Sequence, residues 1–366
     1  MPLEHLEIRD FRLFENVVLE PHERLNIFVG PNAAGKTSII EAIHVLGTGR
    51  SFRTQRLAEL RRRGSQEFVV HAAVVDRDDV EHRLGFGLNG QDRTMRVDGR
   101  GVRSPAALAQ YIPLLAITPE LHYEFLRSSR YRRGLLDWWL FHVEPNFYPE
   151  WLRYRRMLMQ RNAALRQHSL LHQVWDEQLS SCGEGLDRSR REFFRRLEPE
   201  FREIATQLLP DTDPNLAFES GWDRGERLQD VFRASQPMDL RRGYTGHGPH
   251  HADLRLTLHL DGSPSLPSHG QQKVLVIALR LAQLRLFIQH ADRPCVLLAD
   301  DLAAELDSAH QQRILAGLEG VGAQVFMTAL TDQLGVNPNA DAKVFHVEHG
   351  QLLSGRTPKL MQRNQN

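Results

Sequence analysis

Gly30-Pro31-Asn32-Ala33-Ala34-Gly35-Lys36-Thr37 has the form G-x-x-x-x-G-K-[ST], and Ser38 follows it. The flanks suit a phosphate-binding loop. Leu25-Asn26-Ile27-Phe28-Val29 reads as a short buried strand, and residues 37–46 read as a helix whose Ile40, Ile43, Val45 and Leu46 form a buried stripe. Gly30 and Gly35 allow a tight turn and a close approach of backbone to an anion. Successive N–H groups then form a nest, to which the helix adds its positive dipole end. Lys36 is placed for the outer phosphates, and the Thr37 hydroxyl for Mg²⁺. Asn32 suits either a hydrogen bond to phosphate or a cap on the loop. The chain is therefore expected to bind a nucleoside triphosphate.

The 366 residues suffice for about two domains, and 46 basic residues balance 46 acidic ones. No global field draws the chain to nucleic acid or membrane, so such affinity must be local. Lysine occurs only at Lys36, Lys273, Lys343 and Lys359. None of them sits in the Asn/Thr-Lys-x-Asp context of a GTPase guanine motif. Cys182 and Cys295 give neither a disulfide framework nor a Cys-x-x-Cys metal signature. Met1-Pro2-Leu3-Glu4-His5 lacks the order of a signal peptide, and no run reads as apolar enough to span a membrane. A cytoplasmic protein with no membrane partner is expected.

Along the chain, residues 3–11 and 17–19 read as strands before the loop. Residues 68–75, 83–88 and 94–97, with the turn signal Asp98-Gly99, predict an antiparallel meander. Residues 114–117 predict a buried strand, and Thr118-Pro119-Glu120 a helix start. Residues 120–209 then carry helical periodicity with arginine clusters (Arg127, Arg130, Arg132, Arg133; Arg153, Arg155, Arg156; Arg188, Arg190, Arg191; Arg195, Arg196). Such clusters suit a solvated helix face or a nucleic-acid contact. Strand patterns resume at 216–218 and 254–260. His247, His250, His251 and Asp253 could be read as a metal cluster, but a turn near the nucleotide face is the better reading.

A second half of the site follows. Cys295-Val296-Leu297-Leu298-Ala299 predicts a fully buried parallel strand, with Asp300 and Asp301 at its end, where open α/β sheets place ligands. Asp300 is expected to hold Mg²⁺ through its water shell and Asp301 to polarise the attacking water as general base. Glu305 and Asp307 lie in the segment beyond. Upstream, Ser268-His269-Gly270-Gln271 opens a long helix, with Ser268 as N-cap. A second phosphate-facing helix end suggests a composite site, in which Ser268, Gly270 and Gln271 of one copy close on the nucleotide of another.

These motifs resemble the ABC-type ATPases of the SMC and RecF group. Ile8-Arg9-Asp10-Phe11-Arg12, Ile117-Thr118-Pro119-Glu120, Tyr131-Arg132-Arg133, Gln160-Arg161-Asn162-Ala163-Ala164-Leu165 and Gly248-Pro249-His250-His251-Ala252-Asp253-Leu254 sharpen the resemblance to the RecF family. It runs nearly end to end. It departs at His269, where the family often has Arg or Gln, and at Ala33-Ala34. The resemblance implies an α/β fold: an ABC-type P-loop ATPase head of mixed sheets and helices with an inserted α-helical arm lobe. The expected divisions are 1–119 (P-loop and antiparallel sheet), 120–209 (arm) and 210–366 (signature, Walker B and the D-loop with Glu305 and Asp307). It also implies an ATP-dependent homodimer on DNA at gaps or single-strand/double-strand junctions, slow hydrolysis, and a RecR-type mediator as partner. Arg12 is expected to reach the nucleotide or to pair with an acid, the nucleotide being favoured. No switch residue after Met327 is assigned. An ABC-type transport subunit and a small-molecule P-loop kinase are the competing readings.

Overall fold

The computed structural model describes residues 3–76, 78–210, 212–223, 225–260, 263–265, 267–291, 293–302, 310, 312–314, 317, 322–329 and 342–353. The chain divides into two compact units, Met1–Tyr123 with Phe287–Asn366, and Glu124–Leu286.

Unit 1 holds β1 (His5–Phe11), β2 (Phe14–Leu19), β3 (Leu25–Val29), α1 (Lys36–Thr48), β4 (Glu67–Val75), β5 (Glu81–Asn89), β6 (Asp92–Val97), β7 (Arg100–Gly101), α2 (Pro105–Ala109) and β8 (Leu114–Ile117). Helix α3 (Pro119–Arg127) crosses into unit 2, which holds α4 (Ser129–Val143), α5 (Phe147–Arg166), α6 (Asp176–Leu208), β9 (Asp213–Glu219), α7 (Leu228–Arg242), β10 (Asp253–Leu260) and β11 (Ser263–Ser265). Helix α8 (His269–Ala291) leads back to unit 1 and to β12 (Val296–Ala299), β13 (Gln324–Ala329), β14 (Ala342–Glu348) and β15 (Gln351–Leu353).

Unit 1 contains two six-stranded sheets, ordered β2-β1-β4-β5-β6-β7 and β15-β14-β3-β13-β12-β8. The first is antiparallel throughout. In the second, β14, β3, β13, β12 and β8 run parallel and β15 closes the edge antiparallel. One apolar cluster joins both sheets and α1. All residues of α1 except Thr37 and Thr48 are buried, so the stripe expected from sequence is a helix covered on every side. Phe28 of β3 stacks with Phe326 of β13 and Phe345 of β14 at centroid distances of 6.4 and 5.3 Å, which fixes the strands beneath the loop.

Unit 2 contains the helices and the three-stranded sheet β11-β10-β9. By compactness the return to unit 1 comes at Phe287, with β9 packed on α6 and β10 on α4 inside unit 2. Some of the arginines are spent inside this unit. Arg132 forks onto Asp253 through two 2.7 Å hydrogen bonds, and Arg190 onto Asp137 at 2.8 and 3.0 Å. Arg161, with no exposed surface, pairs with Asp176 and Asp239 at 2.8 and 2.9 Å.

One expectation is corrected. Helix α8 is long and apolar enough by composition to cross a membrane, with a mean hydropathy of 1.4 over its most apolar window. That window is 72% buried, which makes α8 a core helix.

Candidate nucleotide site

The loop between β3 and α1 is shaped by its two glycines. A Cβ at Gly30 would lie 2.2 Å from the Val347 carbonyl oxygen of β14. Gly35, the N-cap of α1, has φ 117°, and a Cβ there would meet the Phe14 ring at 2.7 Å. Ala33 takes the left-handed conformation with φ 64°. Pro31, Asn32 and Ala33 are exposed, while Ala34, Gly35, Lys36 and Ser38 are buried. Asn32 therefore sits at the open tip of the loop.

Lys36 folds back across the loop, its Nζ donating to the carbonyl oxygens of Gly30 at 2.6 Å and Pro31 at 2.9 Å. Burial lowers its pKa, against the opposing pull of the Asp300 and Asp301 carboxylates. An ammonium held by loop carbonyls, beside a helix N-terminus with free N–H groups, is a cradle for phosphate oxygens.

The two halves read from sequence meet here. Strands β3 and β12 are separated by β13 alone, so their C-terminal ends open on one edge. The Thr37 hydroxyl donates to Asp300 Oδ1 at 3.0 Å. A second hydroxyl, from Thr328 at the end of β13, donates to the same oxygen at 2.8 Å. Thr328 Oγ1 also accepts from the Asp301 backbone N–H at 3.0 Å and so holds Asp301, whose φ is 50°. Burial pushes the Asp300 carboxyl up to about 6. The two hydroxyls pull it back down, and the neighbouring Glu120 and Asp301 add to the rise. A desolvated carboxylate, a hydroxyl and nearby acids are the hard oxygen donors that Mg²⁺ prefers.

Glu120, read from sequence as part of a helix start and of a family motif but given no role in the site, lies beside Asp300. Its Oε2 is buried with no hydrogen-bond partner among the described residues, and Arg53 lies 3.9 Å from its Oε1. Thr328 was likewise passed over.

Of the two roles left open for Arg12, the structure displays the ion pair. Its Nε and Nη2 donate to the fully buried Glu41 of α1 at 2.8 and 2.7 Å, and its Nη1 to the Glu59 carbonyl at 3.1 Å. The fork ties the end of β1 to the helix that follows the loop.

In unit 2, Ser268 caps α8 as expected. Ser268 Oγ accepts from the Gln271 N–H at 3.3 Å, and Gln271 Oε1 accepts from the Ser268 N–H at 2.9 Å, a reciprocal capping box. Ser268, His269 and Gly270 are exposed, and a Cβ on Gly270 would touch nothing within 4 Å. Glu305 and Asp307 lie outside the described residues. His250 joins the Tyr154 hydroxyl, at 2.7 Å, to the Thr245 carbonyl, at 3.0 Å, and burial lowers its pKa to about 4. Asp253 is taken by Arg132, so these side chains brace the Gly248 turn.

Residues 2–352 match the family described as RecF/RecN/SMC N terminal domain. The DNA replication and repair protein RecF of Pseudomonas paraeruginosa is 38% identical over 359 residues, covering 96% of this chain and 97% of its own. RecF of Thioalkalivibrio sulfidiphilus is 39% identical over 362 residues, covering 97% and 100%. Among solved structures, the recombination mediator protein RecF-ATP of the RecFOR pathway superposes with a TM-score of 0.83 at 24% identity, over 96% of this chain and 97% of that one. An SMC head bound to the C-winged helix domain of ScpA follows at 0.62 and 15%, over 99% and 98%. With an ABC-type head fold and relatives of this identity over nearly its whole length, the chain belongs to the RecF family.

Proposed function

We propose that this chain is an ATP-binding and ATP-hydrolysing protein of DNA repair and replication-gap processing. It works as an ATP-driven homodimer that clamps DNA at gaps or single-strand/double-strand junctions and helps a RecR-type mediator load recombinase. The observation that carries the reading is the Thr37–Asp300 hydrogen bond, which joins the loop to the paired carboxylates. The relatives' role in DNA replication and repair and the ATP-bound RecF neighbour supply the biological setting.

In this reading residues 30–38 wrap the triphosphate, with Gly30 and Gly35 giving the close approach and Lys36 released from the loop carbonyls to the outer phosphates. Thr37 and Asp300 would hold Mg²⁺, which when bound neutralises charge on the phosphate oxygens. Asp301, fixed through its backbone by Thr328, orients the attacking water and takes its proton. Ser268 and Gly270, exposed at the start of α8, and half-buried Gln271 present a hydroxyl and helix N–H groups to the nucleotide of a second copy. ATP affinity then becomes dimerisation free energy. Residues 120–209 serve as the arm beside the clamped DNA.

Lys36→Arg tests the site. A planar guanidinium does not fit the space of a compact ammonium, so turnover of ATP should fall by about tenfold or more, with loss of the ATP-dependent dimer. Wild-type ATP turnover in this variant would place the hydrolytic site elsewhere.

A further inference from the structure

Helix α5 carries charge in an unbalanced way. Among its 20 residues Glu150 is the one acid, against Arg153, Arg155, Arg156, Arg161 and Arg166. Arg161 is consumed by Asp176 and Asp239. The other four are exposed and make no ion pair among the described residues. On helix α6 of the same unit, exposed Arg196 and Arg202 pair with Glu192 and Glu198 one turn away, although exposed Arg188 and Arg195 make no ion pair among the described residues. A solvated helix face supplies its own counter-charges in this manner. The outer face of α5 does not.

That face is also aromatic. At 3.6 residues per turn Tyr148, Trp151, Arg155, Met159 and Arg166 fall on one stripe, about 27 Å long at 1.5 Å per residue. The Tyr148 and Trp151 rings stack with centroids 6.2 Å apart and planes 15° from parallel. The Arg155 guanidinium lies 5.4 Å above the Trp151 ring, and Phe141 supports Tyr148 edge-on at 5.1 Å. Met159 is 56% exposed. Flat rings in a row beside uncompensated guanidinium groups match a polymer with an anionic backbone and accessible flat bases. A duplex keeps its base faces stacked inside and offers such a row only phosphates. A single strand offers both.

We infer that the α5 stripe is a contact for single-stranded DNA, with bases on Trp151 and Tyr148 and phosphates on Arg155 and its neighbours. The inference deepens the proposed function and rests on its placing the chain on DNA.

The test uses the full chain with ATP and Mg²⁺, and fluorescence anisotropy of a labelled oligothymidylate. A strand of equal length made of abasic sites serves as comparison. Trp151→Ala should weaken oligothymidylate binding about tenfold and leave abasic-strand binding unchanged. Trp151→Phe should restore it. Arg155→Gln, at an exposed position that does not endanger folding, should lower the salt dependence by about 0.7 in log–log slope on both strands. The inference is overturned if wild type binds no oligothymidylate, if Trp151→Ala binds as wild type does, or if the loss is equal on the abasic strand. Sedimentation of the same samples separates the two claims. Trp151-dependent binding by a chain that never dimerises on ATP would sink the clamp reading alone.

Discussion

Thr328 serves both aspartates with one hydroxyl, donating to the Asp300 carboxylate and accepting from the backbone N–H of Asp301. Thr328→Ala leaves a buried carboxylate oxygen short of one donor, a loss of about 1.5–3 kcal/mol for a charged hydrogen bond. Its effect should fall on kcat and on the Mg²⁺ midpoint more than on ATP affinity, and Thr328→Ser should recover most of it. An equal loss in both variants would make the role one of packing. Asp300 and Asp301 were legible in the sequence because an apolar run ending in acids, weak by itself, gains its meaning beside the phosphate-binding loop. Thr328 was not, since its place depends on β13 lying between β3 and β12, a strand order that no local pattern encodes. Arg12 shows the same limit: its partner Glu41 lies 29 residues on, in α1, and the sequence reading favoured the nucleotide.

At the level of elements, the antiparallel meander was readable from its β-branched runs and from Asp98-Gly99, where both residues have the positive φ that such a turn needs. What joins its two ends was not. His82 of β5 lies between Asp98, at 2.9 Å, and Asp76, at 3.1 Å, so one imidazole clasps the β4–β5 and β6–β7 turns. The Asp98 hydrogen bond, aided by Asp76, raises the His82 pKa above its ordinary value near 6.5. The folded state then binds the proton more tightly than the unfolded chain. The stabilisation is complete below pH 6.5 and fades as pH rises through the raised value. His82→Gln should therefore lower Tm most near pH 6, with a smaller difference at pH 9. A difference that grows with pH would contradict the clasp. Helix α8 teaches the converse lesson. Its composition alone would suit a membrane, and only its packing identifies it as core.

For the whole molecule, net charge zero conceals a sorting of arginines between interior and surface. Arg161 is wholly buried with Asp176, Asp239 and the Thr245 hydroxyl, and its guanidinium lies 4.7 Å from the Phe232 ring centroid. Arg161→Met leaves two carboxylates buried without their cation and should cost about 3–5 kcal/mol in denaturant unfolding. A cost under about 1 kcal/mol would show that the network is not what holds unit 2 together. Sequence periodicity found the helices but could not say which arginines turn inward, because the partner acids lie up to 121 residues away. For the same reason sequence alone does not show that β9 and β10 pack with the helices, through contacts distant in sequence. In the proposed function, ATP bound at the loop holds two copies together until Asp301 permits hydrolysis. Sedimentation velocity of Asp301→Asn in saturating ATP and Mg²⁺ tests it most directly. A stable dimer that outlasts that of the wild type is expected, and a protein that stays monomeric under those conditions would rule the ATP-held dimer out.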